Sequence, residues 1–191
     1  MPAKHSTKPA RRPPRASSAA KKTKTAKKPA APAASAKTAP LYSLKVFLAD
    51  WHWKPRRSLW RTIQIRGHQS LHDLHQAIFD AFDRFDEHLY EFSLEPDPRG
   101  PAKRYVHPYA LEPEPWGFDD RQPDQDASQT TVDSLNLNLG QQLFYLFDFG
   151  DSWHHTIEVL AVEPAPPKGK YPNIADRKGD SPPQYPDTDE E

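Results

Sequence analysis

The chain has 191 residues, with 26 Lys and Arg against 26 Asp and Glu, no Cys, one Met, 7 Gly and 22 Pro. Without cysteine there is no disulfide framework, no thiolate-ligated zinc or iron–sulfur centre and no thiol nucleophile, which fits a reducing compartment. The formal charge of zero conceals a partition, because residues 1–40 carry 11 Lys and Arg and no acid while residues 41–191 carry the other 15 bases and all 26 acids.

The layout is therefore +11 followed by −11, and each part meets its surroundings with its own field. No apolar run approaches the roughly 20 residues that span a bilayer, so no membrane partner is expected. Residues 1–40 hold no Leu, Ile, Val, Phe, Trp or Tyr. A secretory apolar segment is thus missing, an organelle transit helix is disfavoured, and the mature protein is expected to begin near Met1 in the cytoplasm.

Composition divides the chain into three. Residues 1–40 mix Lys, Ala, Pro, Ser and Thr with nothing large enough to bury, the signature of a disordered basic tail. Its bases are Lys4, Lys8, Arg11, Arg12, Arg15, Lys21, Lys22, Lys24, Lys27, Lys28 and Lys37. Residues 41–162 contain all 5 Trp, all 9 Phe and five of the 7 Tyr, enough for one ordinary core. Residues 163–191 hold seven Pro and end in an acidic run, so apart from a docked turn they are expected to be extended and mobile.

In chain order, Tyr42, Leu44, Val46 and Leu48 alternate with Ser43 and Lys45 as a half-buried strand does. After the Asp50 to Arg57 connection, Leu59 to Ile65 alternates again, and the two strands are expected to pair antiparallel. Ser70 with Asp73 resembles a capping box, and Leu71, Leu74, Ile78, Phe82 and Phe85 follow helical spacing to about Arg84. Leu89 to Leu94 reads as a third strand, stopped by Pro96 and Pro98.

Residues 99–129 read as a long acidic loop around Trp116, with a short strand candidate at Lys103 to His107. Thr131 to Leu139 suggests a helical turn. Gln142 to Asp148 and Trp153 to Ala161 are the last strands, joined by a tight Phe149 to Ser152 turn. The expected fold is α+β: an antiparallel sheet of about five or six strands covered on one face by one main helix.

Four blocks carry a family resemblance: Trp60-Arg61; Ser70-Leu71-His72-Asp73-Leu74-His75; His88-Leu89-Tyr90-Glu91-Phe92; and Tyr145-Leu146-Phe147-Asp148-Phe149-Gly150-Asp151-Ser152-Trp153-His154-His155. In spacing and order they resemble the plasmid pRiA4b ORF-3-like family, small α+β domains of bacteria and mobile elements, sometimes labelled TnpR-like. The motif positions that the resemblance marks are Trp60, Arg61, Asp73, Leu74, His75, His88, Leu89, Phe92, Asp148, Phe149, Gly150, Asp151, Trp153 and His155. It implies a fold and no established activity. Beyond the last strand, Tyr171-Pro172 and Ser181-Pro182-Pro183 echo the family pattern, while its Cys and Gly-Gly elements have no counterpart.

Each candidate site carries a plain reading beside a chemical one. Asp148-Phe149-Gly150 matches the magnesium-binding kinase triplet, but the Gly-rich loop, strand lysine and His-Arg-Asp loop of kinases have no counterpart, which excludes that chemistry. The plain reading is that Asp148 and Asp151 bond the backbone of their own turn while Trp153 packs inward. The chemical one is a divalent metal held by His75, His88, Asp148, Asp151 and His155, if helix end and hairpin tip adjoin. His72 and His75, three apart on the helix, can share a face, yet no His-Glu-x-x-His motif occurs. No Gly-x-Ser-x-Gly elbow surrounds Ser152, so no nucleophile is expected there beside His154.

Trp51-His52-Trp53-Lys54-Pro55-Arg56-Arg57 combines aromatics with bases, which suits stacking on single-stranded nucleic acid or, more plainly, a Trp-anchored hairpin with solvated bases. The tail's 11 bases suit DNA or RNA backbone, a salt-sensitive polyanion contact that would place the protein at the nucleoid. Folding back on the acidic core is the alternative use of that charge. Two functions stay open. The leading one is a non-enzymatic binding module, with nucleic acid on the tail, an unknown protein or small ligand on the core and no cofactor. The other is a metal-dependent hydrolase or nuclease built on Asp148 and Asp151 with nearby His.

Overall fold

The computed structural model describes residues 39–96, 103–111, 124–166 and 168–185. The basic tail residues and Trp116 lie outside the described residues. The strands are β1 (Pro40–Ala49), β2 (Pro55–Arg66), β3 (Tyr90–Ser93), β4 (Arg104–Val106), β5 (Gln125–Asp126), β6 (Gln142–Phe147), β7 (Trp153–Pro164) and β8 (Asn173–Lys178). The helix α1 spans Leu71–Ala81, and short 3-10 turns occupy Pro108–Leu111 and Val132–Leu135. One sheet runs β5-β4-β3-β6-β7-β1-β2-β8, antiparallel throughout except for the β4–β5 pair.

The α+β architecture is as expected, but the sheet has eight strands rather than five or six. The two additional ones are short or polar. β5 is a two-residue strand against β4. β8 lies within the stretch expected to be mobile; it pairs with β2 through Ile63↔Ile174 and Thr62↔Asp176. The boundary expected at residue 162 is thus passed by β7, which continues to Pro164, and by β8 on the same sheet.

Alternation sets the faces. In register, Leu44 sits between Ile63 and Val159, and Val46 between Arg61 and Ile157. The apolar ones among these, with Tyr90, Phe92, Tyr145 and Phe147, make an inner face that packs with Leu71, Leu74, Ile78 and Phe79 of α1 into one buried cluster. Each fully buried aliphatic or aromatic side chain there is worth about 1.5–3 kcal/mol relative to exposure.

Ser70 caps α1 as its sequence implies. Its hydroxyl accepts the Asp73 N–H at 3.0 Å, and the Asp73 carboxylate accepts the Ser70 N–H at 2.7 Å, a reciprocal pair of about 1 kcal/mol. The helix ends at Ala81, short of the expected Arg84. Phe82 is its cap, Asp83 turns left-handed at φ 56°, and the Arg84 N–H closes back on the Phe79 carbonyl at 3.1 Å. Phe85 therefore falls off the apolar stripe and is exposed, its ring edge-on to Tyr185.

Arg61 occupies an inner-face position and is 1 % exposed. A buried guanidinium is tolerated because its donors are used. Nε donates to Ala81 O at 2.7 Å, Nη1 to the carbonyls of Trp60, Lys178 and Gly179 at 2.9–3.0 Å, and Nη2 to Ser181 Oγ at 2.8 Å. The cation also meets the C-terminal carbonyl end of α1, where positive charge is favoured. Gly179 is needed at this junction: its φ is +75°, and an added Cβ would sit 2.5 Å from Ser58 O.

Candidate functional site

The end of α1, the β6–β7 turn and residues 181–185 meet around Arg84. The left-handed turn at Asp83 throws the Arg84 side chain back onto the sheet, where its guanidinium lies on the Trp153 ring at 3.7 Å. Nη1 donates to Pro182 O at 3.0 Å. Burial, the largest influence, pulls the arginine pKa down to about 10. Gln184, itself buried, accepts the N–H groups of Phe85 and Asp86 and donates to Asp86 O, fixing the C-terminal segment over this corner.

Two histidines line the interior. His155 stands between Phe82 at 4.8 Å and Tyr145 at 5.3 Å, and its Nδ1 donates to Trp153 O at 3.0 Å. His75 stacks on Tyr90 at 3.8 Å, with Nδ1 2.8 Å from the Tyr145 hydroxyl. Burial pushes both imidazoles down to about 3, aided by His72 and His107 at His75 and by Arg84 at His155. His72 shares the helix face with His75 but bonds Tyr90 instead, at 2.9 Å.

Asp148 belongs to its turn. At φ 57° its Oδ1 accepts the N–H of Gly150 at 2.9 Å and of Asp151 at 3.3 Å, and its carbonyl accepts from Ser152 at 2.6 Å. Oδ2 stands 3.5 Å from His88 Nε2, which is also 2.9 Å from the Tyr185 hydroxyl. Tyr185 in turn donates to Asp86 at 2.7 Å, and that bond chiefly raises its pKa to about 12.

The five residues weighed as metal ligands do not converge. Asp148 faces His88, whereas His75 and His155 are buried against tyrosine and backbone partners, and Asp151 is exposed on the turn. Among the described residues no three His, Asp or Glu side chains form a group able to hold a metal ion. Ser152 and His154 are likewise not a nucleophile pair, since His154 Nδ1 donates to the Ser152 carbonyl at 2.7 Å.

The other motif residues have structural places. Leu74 and Phe92 are core, Asp73 completes the capping box of Ser70, and the Leu89 carbonyl accepts the Asp148 N–H at 3.0 Å. Trp60 is on the outer face with Lys45 Nζ 3.7 Å above its ring. Phe149 and Gly150 form the exposed tip of the turn.

The Trp51 to Arg57 connection divides between its two readings. Asp50 accepts the His52 and Lys54 N–H groups, and Trp53 packs edge-on against Phe144 and His154, as an anchored hairpin does. Trp51, by contrast, is 73 % exposed. With Arg56 it lines a cleft of about 340 Å³ whose other wall includes Asp151, Trp153 and His154.

The residues that reasoning from sequence missed are Arg84, Tyr145 as the partner of His75, and Gln184. Tyr145 stands in the quoted motif. Arg84 and Gln184 carry no local signal, because their partners are about 70 and 100 residues distant.

Comparisons with known proteins agree with this geometry. The family model described as plasmid pRiA4b ORF-3-like protein matches residues 40–186, from the first residue of β1 through the segment over Arg84. The crystal structure of a protein of unknown function, MM3350 from Methanosarcina mazei Go1, is similar at a TM-score of 0.58 and 24% identity, over 76% of this chain and 73% of that one. That likeness shows the fold. No curated protein matches the sequence. With the family's model spanning every strand of the sheet, the chain belongs to the plasmid pRiA4b ORF-3-like family.

Proposed function

We propose that this protein is a non-enzymatic binding module in which the basic tail holds nucleic-acid backbone and the folded core engages a separate protein or small ligand. The observation that carries the reading is the charge layout: 11 bases and no acid in residues 1–40, ahead of a remainder with net charge −11. A cationic segment of this composition binds polyanions by releasing counterions and reads no sequence. Association with the nucleoid would follow from the same contact. Aromatic and basic neighbours at Trp51 and Arg56 offer single strands a second place to stack.

The hydrolase reading has less behind it, since Asp148 spends one carboxylate oxygen on its own turn. A gel-shift assay of the full chain with duplex DNA at low salt tests the proposal, paired with a variant lacking residues 1–38, which leaves β1 whole. A shift by the full chain that the shortened chain loses supports it. Equal shifts, or none, remove it.

A further inference from the structure

Four buried polar atoms around Arg84 have no partner: its own Nε and Nη2, Nε1 of Trp153 and Nε2 of His155. They share one neighbourhood, for the guanidinium lies on the Trp153 ring at 3.7 Å. Trp153 and His155, two apart on β7, occupy the same face of the sheet. The described ion pairs are made by His88 and Arg104, so among the described residues no carboxylate is in ion-pair contact with Arg84, and Asp83 acts on it only from farther away. A buried cation without a counter-charge in contact, beside further unmet polar atoms, is costly unless an occupant supplies the missing partners.

The unmet atoms define that occupant. Nε and Nη2 form one edge of the guanidinium fork, which takes two oxygens of an oxyanion in parallel bonds. Trp153 Nε1 donates and cannot accept. His155 Nδ1 already donates to the Trp153 carbonyl at 3.0 Å, so in the neutral ring Nε2 is an acceptor, and an O–H of an oxyanion bound beside it would satisfy it. The complement is a small anion with several acceptor oxygens and one hydroxyl.

We propose that Arg84, Trp153 and His155 form a binding site for hydrogen phosphate beneath residues 181–185. This names a ligand class for the core and rests on the reading of the core as a ligand-binding unit, independently of the tail. The covering segment has no regular secondary structure. It is held to the site by the bonds of Arg84 to Pro182, Arg61 to Ser181 and Gln184 to the turn after α1, and local opening of such a segment admits the ion.

The test follows thermal unfolding of the full chain in sodium phosphate against sodium sulfate at matched ionic strength and neutral pH. Both anions are excluded from protein surfaces, and sulfate has no O–H to offer His155 Nε2. Phosphate is expected to raise Tm further than sulfate in the wild-type protein and no further in Arg84→Lys. Trp153→Phe keeps an aromatic face under Arg84 and removes one donor, so phosphate affinity should fall roughly fivefold, the value of one hydrogen bond. In nitrogen-15 spectra, the indole signal missing from Trp153→Phe should move when phosphate is added to the wild-type protein.

Equal stabilisation by the two anions, or an indole signal that stays in place, overturns the proposal and leaves ordered water as the partner of these atoms. Should Arg84→Lys fail to fold, Trp153→Phe and the indole signal decide alone. The DNA shift is read on the wild-type chain and on the chain lacking residues 1–38, so a failure of the phosphate site is read separately from a failure of the tail.

Discussion

Arg61 Nε donates to the carbonyl oxygen of Ala81 at 2.7 Å, tying β2 to the last turn of α1. The same guanidinium reaches Lys178, Gly179 and Ser181, so one side chain joins the helix end, the sheet and the C-terminal segment. Arg61→Ala leaves several buried carbonyls without donors and is expected to cost about 3 kcal/mol or more in urea unfolding. Arg61→Lys keeps the charge without the fork and should fall between the two. Unchanged stability in Arg61→Ala would refute the tie.

Gly179 gives this junction a second check. Gly179→Ala places a Cβ against Ser58 O in a left-handed backbone, for an expected loss of about 2 kcal/mol or more. Faster amide exchange in β8 than in β1 should accompany it.

Asp148 separates a turn role from a metal role. Asn retains the Oδ1 acceptor and tolerates φ 57°, so Asp148→Asn should change stability by less than about 0.5 kcal/mol. Asp148→Ala loses both and should cost about 1–2 kcal/mol. Equal losses, together with zinc or manganese stabilising the wild-type protein alone, would restore the metal reading.

His75 and His155 set an acid limit. Burial lowers both from 6.5 to about 3 in the folded protein. Below about pH 6.5 the unfolded chain binds protons that the folded chain refuses. Their contribution is therefore complete above that pH and is lost as pH falls toward 3, by about 1.4 kcal/mol per pH unit for each ring. Their imidazole nitrogen signals should remain those of neutral rings at about pH 5, where an ordinary histidine is charged. Protonated rings at that pH would contradict the burial.

Much of the sheet was legible because its central strands alternate: Leu44, Val46, Ile63 and Ile65 face inward with polar neighbours outward. The capping box announced α1. The end of the helix was less legible, since Phe85 continues the spacing and only the fold of Arg84 onto Trp153 shows why the chain leaves the helix at Phe82. β8 was hidden for another reason. In Asn173–Lys178 a single large apolar residue, Ile174, packs against the core, and edge strands are commonly polar. The motif residues were visible in sequence, but their roles were not. Arg61 and His155 act through partners distant in the chain, and only the fold separates a helix latch from a metal ligand.

The most direct test of the charge layout is the affinity of the full chain and of the chain lacking residues 1–38 for one duplex DNA, measured by fluorescence anisotropy across a salt series. A steep fall of log affinity with log salt is expected for the full chain, a slope of several units from released counterions, with little binding by the shortened chain at any salt. The same affinity and slope in both chains would contradict it.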